Sequence, residues 1–325
     1  MTEKLRKQMC IRDMKADEIV SDLFVVKSKR PVQEYAKGYR FELRIGDASG
    51  EMLLKYWGGG DKELIDKIYN SIKEDDVIYV TGRIGEFQGN LDISINKEQL
   101  IKICSPDEYI LSDFILTSER DIEKMFEELK IAIRSVREPM LKKILDYFFT
   151  RDDFVKEFKF VPAAVYKHHN WLGGLLEHVL DMINIAGGVV KAHPELNKDL
   201  LWTGIILHDV GKIKGFELTT SIKNSKDGML KGDIIIGYEM ISKALAELGI
   251  SEKEEIAIKL GHMIVSHHGK LEYGSPKLPA FPEAMALYQI DELNSKLKNM
   301  ITTKNNAVTE SDYIYTRDFG NVYLK

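Results

Sequence analysis

All eight histidines of the chain fall between positions 168 and 268: His168, His169, His178, His193, His208, His262, His267 and His268. Several stand inside apolar sequence. Leu175-Leu176-Glu177-His178-Val179, Ile206-Leu207-His208-Asp209-Val210 and Met263-Ile264-Val265-Ser266-His267-His268 each place imidazoles where the neighbours imply burial. A buried imidazole beside a buried carboxylate is costly unless something pairs with both, and a divalent cation does so efficiently. One histidine on an apolar face is more often a hydrogen-bonded core residue than a ligand. The joint pattern of His178, then His208-Asp209, then His267-His268 and Asp291 in ALYQIDELNSK, points instead to metal-ion chemistry.

The elements that must position these residues are helical. SERDIEKMFEELKIAIRSV, from Ser118, reads as a helix with a capping serine, acidic residues in its first turn and apolar residues from Ile122 to Val136 at helical spacing. PMLKKILDYFF places Pro139 at a helix start. Before residue 105 the pattern is different. Runs over 19–27, 39–45, 52–57, 77–83 and 90–95 read as five strands, with a turn at Gln88-Gly89-Asn90. DKELIDKIYNSI sits between the third and fourth strands, with Leu64, Ile65, Ile68 and Ile72 on one helical face. The order β-β-β-α-β-β is that of an OB-fold. The expected architecture is multidomain, β then α: an OB barrel over 1–105, a helical connector over 106–155 and an all-α domain over 156–325.

Composition limits the partners. The 325 residues are 44% hydrophobic and 30% charged, with a formal net charge of -5, so the chain is globular and any nucleic-acid contact must come from a local surface. Cys10 and Cys104 make no C-x-x-C pair, and neither a secretory segment nor a membrane-spanning apolar run is evident, so a cytoplasmic location is expected. No G-x-x-x-x-G-K-[ST] motif suggests ATP-driven activity.

DEIVSDLFVV and GYRFELRIGDASGEMLLKYW, with the turn from Gly46 to Gly50, resemble the opening strands of nucleic-acid-binding OB domains. Such domains stack bases on aromatic rings and follow the backbone with cations. The candidates are Tyr39, Phe41, Tyr56, Trp57, Phe87, Lys29, Arg30, Lys55 and Arg83, although alternation sends about half of any strand's residues into the barrel.

The H…HD…D order of His178, His208-Asp209 and Asp291 resembles the HD-domain metal-dependent phosphohydrolases. HHNWLGGLLEHVL, LLWTGIILHDVGK, SHHGKLEYGSPKLPAFPEA and LYQIDELNSK further resemble the YhaM-type 3′-to-5′ exoribonucleases, which also place an OB-type domain ahead of the HD domain. The resemblance implies that His178, His208, Asp209 and Asp291 hold a first metal, and that His267 and His268 belong to a second site bridged by Asp209. Where the pattern has Gly-His-Ile, this chain has Gly232-Asp233-Ile234, so Asp233 is either an oxygen ligand or the reason for a single ion. One or two divalent ions are implied, with Mn²⁺ expected and Mg²⁺, Fe²⁺, Co²⁺ or Ni²⁺ admissible.

Lys212 matches a lysine that HD enzymes place near phosphate. His168 or His169 is expected to hold the phosphate or protonate the leaving oxygen, the choice between them being open. His262 is a candidate for orienting a ligand, and His193 reads as a loop residue. The segment 269–282, with Lys270 and Tyr273, reads as a pocket wall or a plain connector. The implied activity is metal-dependent 3′-to-5′ exonucleolytic hydrolysis of single-stranded RNA or DNA, with no membrane partner and with homo-oligomerisation left open. The alternatives are a phosphohydrolase of small or cyclic nucleotides and a non-catalytic nucleic-acid-binding regulator.

Overall fold

The computed structural model describes residues 4–96, 101–165, 169–307 and 309–325. It divides into two compact units, Met1–Leu116 with Leu218–Ser221, and Thr117–Glu217 with Ile222–Lys325.

In the first unit the alternation of the sequence becomes a closed barrel. Its strands are β1 (Ile19–Tyr35), β2 (Gly38–Asp47), β3 (Gly50–Trp57), β4 (Val77–Phe87) and β5 (Asn90–Asn96), with helix α1 (Lys62–Ser71) between β3 and β4. They pair in the order β1-β2-β3-β5-β4, and β4 returns to β1 through Ile19↔Arg83 to Val25↔Val77. The β3–β5 pair is parallel and the others are antiparallel, so the barrel leaves little unpaired edge. A sixth strand, β6 (Ile101–Cys104), lies outside the expected five and pairs with the start of β4.

Two turns fix the register. Gln88 and Gly89 both have positive φ, which suits a two-residue hairpin between Phe87 and Asn90. At the β2–β3 turn, Asp47 Oδ1 accepts hydrogen bonds from the Ser49 and Gly50 amides. Helix α1 is capped by Asp61 and sends Ile65 and Ile72 into the core, while Leu64 is exposed and Ile68 half-buried, a narrower apolar face than expected.

The second unit is built around one apolar core. Its helices are α2 (Ile122–Ser135), α3 (Pro139–Phe149), α4 (Asp152–Phe160), α5 (Gly174–Ala192), α6 (Lys198–Leu207), α7 (Lys212–Gly215), α8 (Lys226–Lys231), α9 (Asp233–Glu247), α10 (Glu255–Ser266) and α11 (Pro282–Asn305). Two hairpins depart from an all-α expectation: β7 (Phe216–Leu218) with β8 (Ile222–Asn224), and β9 (Tyr313–Thr316) with β10 (Gly320–Tyr323). Pro139 opens α3 as its fixed φ allows. The serine cap expected at Ser118 is corrected: Asp121 caps α2 by accepting from the Lys124 amide, and Ser118 Oγ–H donates to Glu177 instead. Among the described residues, no helix is long and apolar enough to cross a membrane.

Candidate metal centre

After its charged first turn helix α6 is buried on every side from Leu200 to Leu207, so it ends inside the core. It ends on His208. The C-terminal turn leaves carbonyls without helical partners, and His208 Nδ1–H donates to one of them, Ile205 O, at 2.8 Å. Helix α10 repeats the device: His267 follows its last residue and donates Nδ1–H to Ile264 O at 2.7 Å. Because a carbonyl can only accept, each Nδ1 carries the proton and each Nε2 keeps a lone pair. Two helix C-termini, the negative ends of their dipoles, therefore face the same site.

The other ligand candidates come from the middles of helices. His178 on α5 sets its Nδ1 2.7 Å from Asn294 Oδ1 and its Nε2 3.2 Å from Asp291 Oδ1 on α11. One donor atom from each of His178, His208 and Asp291 lies within 4.8 Å of the others. Asp209 Oδ2 is 3.1 Å from His208 Nε2, and Asp209 Oδ1 is 3.5 Å from His267 Nε2. Among the described residues, His208 Nε2, His267 Nε2 and Asp209 Oδ1 are buried without a hydrogen bond. Leaving such groups unsatisfied costs about 1–3 kcal/mol each. A divalent cation ligated by imidazole nitrogen and carboxylate oxygen removes that cost, so the donor set fits one.

The electrostatics agree. Burial alone would raise the Asp209 carboxyl, but His208 and Lys212 hold it well below the usual range. Burial would likewise raise Asp291, yet His178 and His208 push it far down. Burial would lower His208 and Lys212, but Asp209 outweighs it in both and raises them. Both carboxylates thus stay charged in a buried site, which attracts a cation.

Close backbone approach positions two parts of the site. A Cβ on Gly211 would lie 2.0 Å from Asp233 O, so only glycine lets the start of α9 approach the His208-Asp209 turn. A Cβ on Gly174 would lie 2.0 Å from His169 O, which ties the start of α5 to the preceding loop.

His169, Glu177 and Asp181 form a second set of donor atoms within 4.8 Å of one another. Glu177 already accepts from Lys298 Nζ at 2.8 Å, Ser118 Oγ at 2.7 Å and Trp171 Nε1 at 2.9 Å, while Arg120 reaches Asp181 at 3.1 Å. Cationic side chains thus offset both carboxylates, and the set is a supporting network behind His178. This corrects the expectation for His169: its ring is fully buried, 5.3 Å from His178, and does not line the cleft. His168 lies outside the described residues.

That cleft, about 350 Å³, is lined by Asp209, Lys212, His267, His268, Tyr273 and Asp291, together with Tyr288, Glu292 and Ser295. Lys212 Nζ stands 2.5 Å from Asp209 Oδ2 and 3.9 Å from Asp233 Oδ2. Asp233 is not among the His178, His208 and Asp291 donor atoms that lie within 4.8 Å of one another. The wall segment includes Tyr273, whose carbonyl accepts from His268 Nδ1 at 3.1 Å and whose ring lies 4.8 Å from Lys270 Nζ. His262 does not orient a ligand; its Nε2 accepts from the Ala280 amide and holds the segment before α11. His193 ends α5 and is exposed beside Glu195.

On the barrel, three candidates are corrected. Phe41 and Tyr56 stack on each other in the core with ring centroids 4.8 Å apart, because Phe41 shares the inward face of Leu43 and Ile45. Lys29 caps α1, donating to the carbonyls of Tyr69 and Ile72. Trp57 and Tyr39 are half-buried, with Arg40 5.1 Å over the Trp57 ring. Lys55 pairs with Asp92 at 2.7 Å and sits 5.8 Å from the exposed Phe87 ring, Arg30 pairs with Glu42 at 2.9 Å, and Arg83 is exposed near Asp17. The residues overlooked in the sequence are Asn294, Tyr288 and Ser295. All three stand three or four positions from Asp291 on one face of α11, and Ser295 donates to Asp291 at 3.1 Å.

A closed barrel joined to a helical unit with this His, His-Asp and Asp set defines an HD-domain protein, and the HD domain family model matches residues 175–302. The chain is 34% identical over 259 residues to the 3′-5′ exoribonuclease YhaM of Geobacillus sp. (strain WCH70), covering 80% of this chain and 76% of that one. It is 33% identical over 288 residues to the YhaM of Oceanobacillus iheyensis, covering 88% and 86%. Against the YhaM of Bacillus subtilis (strain 168) the figures are 30% over 298 residues, covering 91% and 90%. The chain belongs to the YhaM family of 3′-5′ exoribonucleases.

Proposed function

We propose that this protein is a metal-dependent hydrolase that removes nucleotides one at a time from the 3′ end of single-stranded RNA. The family relationship supports the activity. The observation that carries the mechanism is the convergence of His178 on α5 and Asp291 on α11 with the His208-Asp209 pair at the end of α6, Asp209 also approaching His267 at the end of α10. In this reading His178, His208, Asp209 and Asp291 would hold a divalent cation, which would supply charge relief for the phosphoryl oxygens and lower the pKa of an attacking water.

The chain's own groups do the rest. Lys212 stays protonated beside Asp209 and offers its ammonium to the scissile phosphate. Asn294 fixes the tautomer of His178, while Ile205 O and Ile264 O fix those of His208 and His267. Tyr273, 47% exposed, lines the cleft and gives a nucleotide a flat surface. Cleavage of the P–O3′ bond releases a nucleoside 5′-monophosphate and leaves a 3′-hydroxyl on the shortened strand. The placement of Lys212 between Asp209 and Asp233 favours one strongly held ion over two. In this reading Trp57, with Arg40 over its ring, and exposed Phe87, near Lys55, are the barrel aromatics that stack on bases, and exposed Arg83 adds a cation.

The test is incubation with 5′-end-labelled RNA, 5′-end-labelled single-stranded DNA and cyclic dinucleotides, with Mn²⁺ or with EDTA. RNA ladders shortening from the 3′ end with Mn²⁺ are expected. Turnover of cyclic dinucleotides alone, or RNA binding without cleavage, would overturn the proposal.

A further inference from the structure

The cleft beside the metal centre holds a carboxylate for which the ligand set has no use. Among the described residues that line it, Asp209, Asp291 and Glu292 are acidic, and the first two meet the histidines. Glu292 follows Asp291 on α11, so their Cα atoms are about 3.8 Å apart. Its side chain is held from both sides. Lys296, one turn on, donates to Glu292 Oε1 at 2.7 Å, and the Tyr288 hydroxyl, one turn back, donates to the same carboxylate. Tyr288 is itself fixed. Its ring is 7% exposed and packs on Gly269, where a Cβ would lie 2.1 Å from the ring carbon Cδ2. Gly269 directly follows His267-His268 and has a φ of 74°, so the turn that carries those imidazoles also seats the ring that steadies Glu292.

A carboxylate only accepts hydrogen bonds and offers about four lone-pair positions, so two donors leave room for a third. That decides which part of an RNA strand can face Glu292. A phosphate is repelled, whereas a hydroxyl is bound through a charge-assisted hydrogen bond. Along a strand, O3′ is esterified to phosphate in every nucleotide except the last, which carries a free 3′-hydroxyl. Lys296, exposed and outside the lining residues, offsets the Glu292 charge only weakly. We propose that Glu292 reads the strand end: it accepts a hydrogen bond from the 3′-hydroxyl of the terminal nucleotide while the scissile phosphate lies at Lys212, and its charge rejects a strand that continues past that point. This rests on the exoribonuclease reading and assigns the residue that directs cleavage to ends rather than to the interior of a strand.

The test compares initial rates of the full-length, Mn²⁺-loaded protein on two 5′-labelled RNAs of one sequence, ending in a 3′-hydroxyl or in a 3′-phosphate. The wild type is expected to shorten the hydroxyl end about a hundredfold faster or more, the joint scale of a hydrogen bond to a charged group and of like-charge repulsion. Glu292→Gln should cut that ratio about tenfold or more, and Glu292→Asp, which keeps the charge, should retain most of it. Each ratio is taken within one protein, so a general loss of structure lowers both rates and leaves the ratio where it was. A ratio unchanged in Glu292→Gln, or lost to the same extent in Glu292→Asp, would overturn the proposal. Wild type that shortens both RNAs alike would sink this inference alone, whereas wild type that shortens neither would remove the exoribonuclease reading beneath it.

Discussion

The Lys212 ammonium lies 2.5 Å from Asp209 Oδ2, so the cation that follows the His-Asp pair in sequence is directed back onto it. If Lys212 serves the phosphate, its loss should harm turnover more than metal binding. Lys212→Met is predicted to reduce RNA hydrolysis by about 10²–10³-fold, the scale for removing one preorganised charge partner. Mn²⁺ binding should hold or tighten, because a positive neighbour is gone. Parallel loss of metal and activity would show that Lys212 only maintains the site.

Asn294 accepts the Nδ1 proton of His178 and thereby aims Nε2 at the centre. Asn294→Leu is predicted to weaken Mn²⁺ binding by about 10–100-fold, as removal of a ligand's orienting partner does. Equilibrium dialysis against the wild type measures this. An unchanged dissociation constant would remove Asn294 from the site.

Metal binding and pH are linked through His208. Burial alone would lower its pKa, but Asp209 and Asp291 raise it in the metal-free protein. A raised folded-state value gives stability that is full below the unfolded value of about 6.5 and is lost as pH rises through the folded value. A bound cation reverses the trend, since it needs Nε2 deprotonated. Mn²⁺ should therefore raise the melting temperature more at about pH 8 than at about pH 6. An equal rise at both would exclude His208 as a ligand.

On the barrel, Phe87 is 64% exposed near Lys55, and Trp57 lies under Arg40. The double variant Trp57→Ala/Phe87→Ala is predicted to raise KM for a long RNA about tenfold or more, from lost stacking. The effect on a dinucleotide should be much smaller, because it offers at most two bases to stack. Equal effects on both substrates would place the defect in folding.

Strand order and the ligand candidates were legible because alternation and burial leave marks in sequence. Phe41 shows the limit. Its alternation with Leu43 and Ile45 already marked the inward face, but aromatic type suggested base stacking. Lys29 was illegible for a different reason: its partners are carbonyls of Tyr69 and Ile72, brought near only by closure of the barrel. Asn294 was within reach, one helical turn from Asp291, whereas the burial of His169 behind His178 depends on a loop conformation with φ of 53° that composition does not reveal. Position 233 marks Asp233 as a ligand candidate, whereas the approach of Lys212 to it follows from side-chain direction that spacing alone leaves open.

The most direct test counts Mn²⁺ ions per chain in wild-type protein and in Asp209→Ala, after chelation and dialysis against the same free metal. At least one ion per wild-type chain is expected, with a loss in the folded variant together with 3′-end RNA shortening. Equal metal content in the two proteins, or undiminished cleavage by protein freed of metal, would contradict the account.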